Sequence, residues 1–250
     1  MHKSNQMAIF LFLILHWYLS LFAQTFFLHR YSAHKMFTMN KFWEIFFYYF
    51  SWITQGSSYL NARAYAILHR MHHAYSDTEK DPHTPHFFKN AFTMMMHTRK
   101  IYNNVLNRVT VIEEKFDRNF PEYKKLDKIA DSWFIRLLFA AGYIVFYAFF
   151  ATVWWEYLFL PIHFLMGPIQ GAIVNWAGHK YGYQNYHDGD KSRNTLFLDF
   201  LMLGELFQNN HHHAGSKPNF AVKWFEFDPT YSVIILLDKL RIIKLARVSK

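Results

Sequence analysis

Long apolar stretches alternate with densely polar ones along this chain, at a wavelength that suits membrane-crossing elements better than a water-soluble core. Met7 to Leu28 carries no charged residue and as a helix reaches about 33 Å, enough to cross a hydrocarbon layer of about 30 Å. The run is too long for the apolar part of a secretory signal, and no small-residue cleavage site stands before Leu28-His29-Arg30. It therefore reads as a retained span. Phe42 to Leu60 is a weaker apolar stretch, interrupted by Glu44, Ser51, Thr54, Gln55, Ser57 and Ser58. Phe134 to Trp155 and Tyr157 to Gly178 are two further apolar runs. They meet at Trp154-Trp155-Glu156-Tyr157, which predicts a helical hairpin with an aromatic belt at its tip.

The intervening segments are built for water. Arg99 to Ser132 is rich in Lys, Arg, Asp and Glu and reads as a cap on the membrane part. His179 to Asn194 is polar, with Gly, Tyr and Asn, and Leu196 to Phe207 predicts a short mixed helix. Tyr231 to Val248 interleaves apolar residues with Lys239, Arg241, Lys244 and Arg247, the pattern of a basic amphipathic helix on an anionic leaflet. The expectation is one all-α integral membrane domain over 1–250. It has three spans at about 7–28, 134–155 and 157–178, an interfacial or re-entrant helix at 42–60, a cytosolic helical cap, and a C-terminal amphipathic helix at 231–248.

Composition changes this picture in two places. Lys and Arg number 27 against 18 Asp and Glu, a formal charge of +9, but the basic residues lie mostly in the water-facing segments and the tail. Nucleic-acid binding is excluded, because the aromatic residues sit in the apolar runs and not on a basic face. There is no cysteine, which removes disulfides, thiolate zinc sites, iron–sulfur clusters and cysteine nucleophiles. The mean hydropathy of -0.08 averages very apolar and very polar stretches and so disguises the membrane character.

The chemistry lies in the 16 histidines. Four clusters stand just beyond the ends of apolar stretches: His29-Arg-Tyr-Ser-Ala-His34, His69-Arg-Met-His72-His73, Asn175-Trp-Ala-Gly-His179 and Gln208-Asn-Asn-His211-His212-His213. His69, His72 and His73 at i, i+3 and i+4 share a helix face, and Gln208, His211 and His212 repeat the offset. His29 and His34 diverge by about 140° on an ideal α-helix, which predicts that they straddle a helix end. Eight imidazoles without a thiolate exceed one mononuclear site and suit two transition-metal ions, with Fe, Zn, Cu and Ni all compatible. His16 and His163, inside spans, read as hydrogen-bonded packing residues. His213 points off the face of His211 and His212, and His83 and His86 read as outer or surface groups. Asp77, Glu79, Asp81, Asp199 and Glu205 are candidate acceptors for the second ring nitrogens.

A shared site needs all clusters on one side of the membrane. The stretch 42–60 therefore cannot cross once, and Arg30, Lys35 and Lys41 put the His29 side in the cytoplasm, with the N-terminus outside.

These motifs resemble the membrane-bound fatty acyl desaturases, in particular the acyl-CoA (stearoyl-CoA, delta-9) type. The resemblance runs from about Leu11 to Lys244. Its histidine boxes match His29–His34, His69–His73 and, modified, Gln208–His212. Asn175 with His179, Lys180-Tyr-Gly-Tyr183, Asp81-Pro-His83 and Gly204-Glu205 are similar to family signatures. The family implies two iron ions held by His29, His34, His69, His72, His73, His179, His211 and His212, with Asn175 reaching a metal through water. Gln208 replaces the first histidine of the last box, leaving there a weak ligand or a water. Asp81 and Glu205 are the leading outer acceptors. The chain is similar to the shorter bacterial-type members, without the extra N-terminal span of animal ones.

The resemblance further implies O2 as co-substrate and a long-chain acyl-CoA, or another acyl carrier, whose head group meets Arg63, Arg70 or Lys89. A cis double bond, delta-9 by analogy, would be made with two electrons from an external ferredoxin or cytochrome b5-type protein and its reductase. The expected location is the bacterial cytoplasmic membrane, with the site on the cytosolic side. Two alternatives stay open: a hydroxylase of the same histidine-box superfamily, and a membrane metal transporter or sensor without redox chemistry.

Overall fold

A computed structural model describes residues 2–196 and 199–246. The first helix, α1 (His2–Phe22), does not stop where its apolar run ends. It continues through Ala23–Ala33 in the wider π winding, closed by bonds such as His34 N–H to the His29 carbonyl at 3.1 Å. Asn5–Ala33 forms one candidate span. His29 lies within the π segment and His34 is the residue just past its end, so the pair straddles a helix end as its spacing predicts, and the i→i+5 closure brings both imidazoles to one side.

After a short strand, β1 (Phe37–Met39), α2 (Lys41–Gln55) starts at an Asn40 side-chain cap and turns back at Gly56–Ser58. At 15 residues it falls short of the roughly 20 needed to cross a bilayer. Its outer stripe of Phe42, Phe46, Tyr49 and Ile53 is exposed. α3 (Ala62–Tyr75), capped by Asn61, then carries the second histidine cluster. α4 (Ala91–Leu106) and α5 (Lys124–Ala130) occupy the charged segment, and α6 (Trp133–Phe150) is the second candidate span.

The expected third span, 157–178, is broken. A turn at Trp154–Phe159 and α7 (Leu160–Phe164) meet α8 (Met166–Lys180) at 73°. Pro168 explains the break, because it has no N–H for the Phe164 carbonyl and its ring crowds that group. The Ser57 hydroxyl donates to this carbonyl instead, at 3.3 Å.

Two other expectations fail. The segment 196–207 is turn and not helix among its described residues. The Asp199 carboxylate takes the N–H groups of Met202, Gly204 and Leu206, the side-chain bonding that competes with helix. After α9 (Gln208–His213), α10 (Pro229–Lys239) is followed by a turn and by β2 (Ile243–Leu245), in place of a continuous helix over 231–248. β2 pairs antiparallel with β1, Phe37 opposite Leu245, and Ile243 enters the same core cluster as Phe26, Phe37 and Tyr48. Burial of Ile243 in that cluster removes its side chain from water and anchors the strand. Residues 247 and 248 of that prediction lie outside the described residues.

Candidate metal centre

The π segment, α3, the end of α8 and the short α9 converge, and each brings histidines. His29, His34, His69, His73 and His211 each offer a ring nitrogen within 4.8 Å of the others, and His72, His179 and His212 form a second such group. The shared face of α3 is split between them: His69 and His73, one turn apart, go to the first group and His72 to the second.

Distances within the groups are those of ligands around an ion. Nε2–Nε2 separations are 2.7 Å for His34–His69, 2.9 Å for His29–His211 and His73–His211, 3.1 Å for His69–His73, and 3.0 Å for His72–His212. Two nitrogens bound at right angles to one ion, with bonds of about 2.1 Å, stand about 3.0 Å apart.

Carboxylates fix which nitrogen faces inward. His29 Nδ1 lies 2.6 Å from Glu205, His72 Nδ1 lies 2.9 Å from both Asp81 oxygens, and His212 Nδ1 lies 2.9 Å from Asp190. With Nδ1–H donating outward, each Nε2 presents a lone pair. His72 and His212 thus aim two acceptors at each other across 3.0 Å, an arrangement that a cation resolves and a hydrogen bond does not. The Nε2 of buried His179 lacks a hydrogen-bond partner among the described residues, while its Nδ1 lies 3.4 Å from the Asp77 carboxylate. The donor set fits two nitrogen-liking metal ions.

The titration behaviour agrees. Burial first, then the crowd of neighbouring imidazoles, pushes His34, His69, His73 and His211 well below the ordinary histidine range, and His72 with them. They are neutral, the form that ligates. Burial alone would raise Asp190, but its bond to His212 outweighs that and holds the carboxylate ionised.

A buried ionic network braces this centre from behind. Arg30, read from the sequence only as a topology signal, is fully buried and reaches Glu205 at 3.2 Å and Asp228 at 2.7 Å. Its guanidinium lies 3.8 Å over the Phe220 ring. Asn209 and Asn210, passed over as spacers in the last box, anchor α9. The Asn209 Oδ1 accepts from the Asn185 and Tyr186 N–H groups, and the Asn210 amide donates to Phe220 O and Glu226.

Gln208 packs against Gly178 and donates to the Glu205 carbonyl at 2.6 Å. His213 stands apart, exposed, stacked on Tyr186 and bonded to Asp188. His83 lies beside His72, with ring centres 4.3 Å apart, and His86 reaches Asp77 at 3.3 Å. Asp190 went unnoticed in the sequence, since nothing local links it to a histidine 22 positions away.

A cavity of about 1480 Å³ opens onto the centre, where His69, Asn175, Glu205 and Gln208 line it. It passes apolar walls that include Leu21, Met95 and Ile169, and reaches exposed Arg99, Lys124 and Lys128. Arg63 lines it too, but its guanidinium is engaged by Asp117 at 2.9 Å and by Val105 O at 3.0 Å. Arg70 is not among the lining residues and binds backbone carbonyls, including Ser32 O and Ala33 O. Lys89 is exposed, away from the wall.

Comparison with known proteins converges on the same chemistry. The fatty acid desaturase family model matches residues 5–232. The chain is 28% identical over 225 residues to Delta-9 desaturase-like 5 protein of Arabidopsis thaliana, covering 86% of this chain and 69% of that one. It is 28% identical to the sn-1 stearoyl-lipid 9-desaturase of Anabaena variabilis, covering 90% and 79%. It is 27% identical to the acyl-CoA 5-desaturase AL21 of Anemone leveillei, covering 93% and 70%. Two histidine groups, one of them opening onto a large cavity, in a helical chain with membrane-length helices, are thus joined by a match over most of the sequence: the chain belongs to the fatty acid desaturase family of oxidoreductases.

Proposed function

We propose that this chain is an O2-dependent desaturase that introduces a cis double bond, at the delta-9 position, into a saturated long-chain acyl group carried as its CoA thioester. It would work in the cytoplasmic membrane, with the centre on the cytosolic side and three crossings, the bent pair counting as one. The observation that carries the reading is the opening of the cavity onto the five-histidine group at His69, with Asn175, Glu205 and Gln208 beside it.

Two iron ions, held by His29, His34, His69, His73 and His211 and by His72, His179 and His212, would supply the oxidising power that an unactivated C–H bond demands. The chain's own residues do the rest. Glu205, Asp81 and Asp190 orient the rings and hold their Nδ1 protons. Leu21, Met95 and Ile169 exclude water and keep the acyl chain extended beneath the centre. The exposed cations Arg99, Lys124 and Lys128 lie on or beside α4 and α5, outside the candidate spans. They suit an anionic carrier arriving from water, which favours the thioester over a bilayer lipid. The reaction takes the saturated chain, O2, two electrons and two protons to the monoene and two waters, and an external one-electron carrier supplies the electrons.

The test is expression with added iron, followed by mass spectrometry of fatty acids and of products from added stearoyl-CoA or stearoyl-phospholipid. A cis-monoene from the thioester, abolished in His72→Ala, is expected. A product that gains one oxygen instead of losing two hydrogens would overturn the reading in favour of a hydroxylase, and conversion of the phospholipid alone would overturn the carrier.

A further inference from the structure

The lipid-facing part of α1 has an edge. Phe10, Leu11, Ile14, Leu15, Tyr18 and Leu19 are exposed along it, and no residue from 20 to 33 is. At that edge the Trp17 indole N–H donates to the Leu201 carbonyl at 3.1 Å. The turn 199–205, which carries Leu201, is two-sided. Its Met202 is buried with Leu21 of α1 and Leu206, and Ile173 and Val174 of α8 pack against them. Phe200 and Leu201, by contrast, are 53% and 49% exposed. Phe227 joins them from another part of the chain, also exposed, with its ring centre 5.5 Å from that of Phe200.

This turn is fixed, so its outer side chains cannot fold back onto the core. The Asp199 carboxylate takes three of the local N–H groups, and the Thr230 hydroxyl donates to the Leu203 carbonyl at 2.8 Å. Leu203 is held at a φ of 53°, a left-handed backbone that a leucine keeps only where its surroundings impose it. Large apolar groups fixed in water forgo the stabilisation that hydrocarbon would give them. The same turn ends at Glu205, whose carboxylate bonds His29 and Arg30. The apolar patch and the five-histidine group are therefore tied to one short rigid segment.

We propose that Phe200, Leu201 and Phe227 dip into the leaflet on the side of the metal centre, and that this contact anchors the Glu205 turn to the bilayer. The inference rests on the reading of α1 as a membrane span. Two observations favour lipid over a protein as the occupant. The patch continues from the exposed flank of α1 through the Trp17–Leu201 bond, and an indole with its N–H satisfied suits a boundary between apolar and polar surroundings. Three partly exposed side chains also offer far less than the roughly 800 Å² per partner of a stable protein interface.

The chain has no cysteine, so a single one can be introduced and labelled without background. The test uses the full-length protein in vesicles of mixed zwitterionic and anionic phospholipid, with a nitroxide at Phe200→Cys, Leu201→Cys or Phe227→Cys. Power-saturation EPR reads collisions with O2, which concentrates among acyl chains, and with a neutral nickel chelate, which stays in water. Leu15→Cys, exposed on α1, is the lipid reference, and Val111→Cys, exposed in the charged segment, is the water reference. At all three positions nickel accessibility should lie about tenfold below that of Val111→Cys, with O2 accessibility close to that of Leu15→Cys. Nickel accessibility equal to that of Val111→Cys would overturn the proposal, because the patch would then face water. Protection from both quenchers would overturn it too, by marking a protein contact. If the nitroxide at Leu15→Cys itself meets the nickel chelate, the membrane reading of α1 falls and the proposal with it.

Discussion

His29 Nδ1 and Glu205 Oε2 stand 2.6 Å apart, both buried, and the second Glu205 oxygen is shared with Thr25 and Arg30. One carboxylate thus fixes an imidazole's tautomer and balances a buried cation. Burial alone would raise its pKa, but His29 and then Arg30 pull it below the ordinary glutamate value, so it is ionised and accepts.

Glu205→Gln keeps the shape and removes the charge. The expected result is a 10–100-fold loss of iron affinity at the five-histidine group, the usual cost of losing an outer partner of a metal-bound imidazole. Iron titration against a chelator, with thermal unfolding alongside, reads it. Unchanged affinity would show that His29 holds its orientation without the carboxylate.

Gly178 and Gln208 are a matched pair. A Cβ at position 178 would sit 2.5 Å from the Gln208 Cγ, closer than real contacts allow. Gly178→Ala therefore costs about 1–3 kcal/mol by overpacking. Trimming the partner in Gly178→Ala/Gln208→Ser restores most of it, so the double mutant is more stable than the sum of the singles. Thermal unfolding of the four proteins in one detergent measures the cycle, and strict additivity would show that the two positions do not touch.

The sequence carried the histidine spacings because they are local. The i, i+3, i+4 offsets place side chains wherever a helix forms, and α3 formed. The distribution of those side chains between two groups was not legible, since it depends on where the π segment and α9 sit across from α3. The π winding at Ala23–Ala33 has no compositional mark, and an α-helical angle sends His34 the wrong way. Pro168 marks the break in the third apolar run, and the sequence reading of 157–178 as one span passed over it. The β1–β2 pair joins positions about 200 residues apart, and Asp190 meets His212 only through the fold. Arg30 looked like a topology signal because burial of a charge shows only when its partners, Glu205 and Asp228, are in place.

Arg70 was a candidate for the substrate head group and instead ties three segments together. Its guanidinium donates to Ser32 O at 2.9 Å, Ala33 O at 2.8 Å and Phe116 O at 3.0 Å. Lysine cannot reproduce that planar fork. Arg70→Lys is expected to lower stability by about 2 kcal/mol, since hydrogen bonds to charged groups are worth about 1.5–3 kcal/mol each and a lysine keeps some of them. At this chain length that is a fall of about 4–8 °C in Tm. Thioester KM should stay within twofold. A KM that rises with no change in Tm would return Arg70 to the binding site.

Asp131 gives the fold a pH dependence whose sign can be worked out. Burial pushes its pKa up to about 6, against the pull of Arg136 at 3.1 Å. In the unfolded chain the value is about 3.9. Between these values the native state binds the proton more tightly, so stability falls as pH rises from about 4 to about 6 and is level in this respect above that window. At about 1.4 kcal/mol per unit the swing is about 2–3 kcal/mol. Asp131→Asn removes it without removing the bonds Arg136 makes to Ser57 O and Tyr59 O, at 2.9 and 2.7 Å, which hold the turn beneath the cavity. Subtracting the variant's unfolding curve from the wild type's, pH by pH, should therefore leave a difference confined to that window. A flat difference would mean that Arg136 keeps Asp131 ionised throughout.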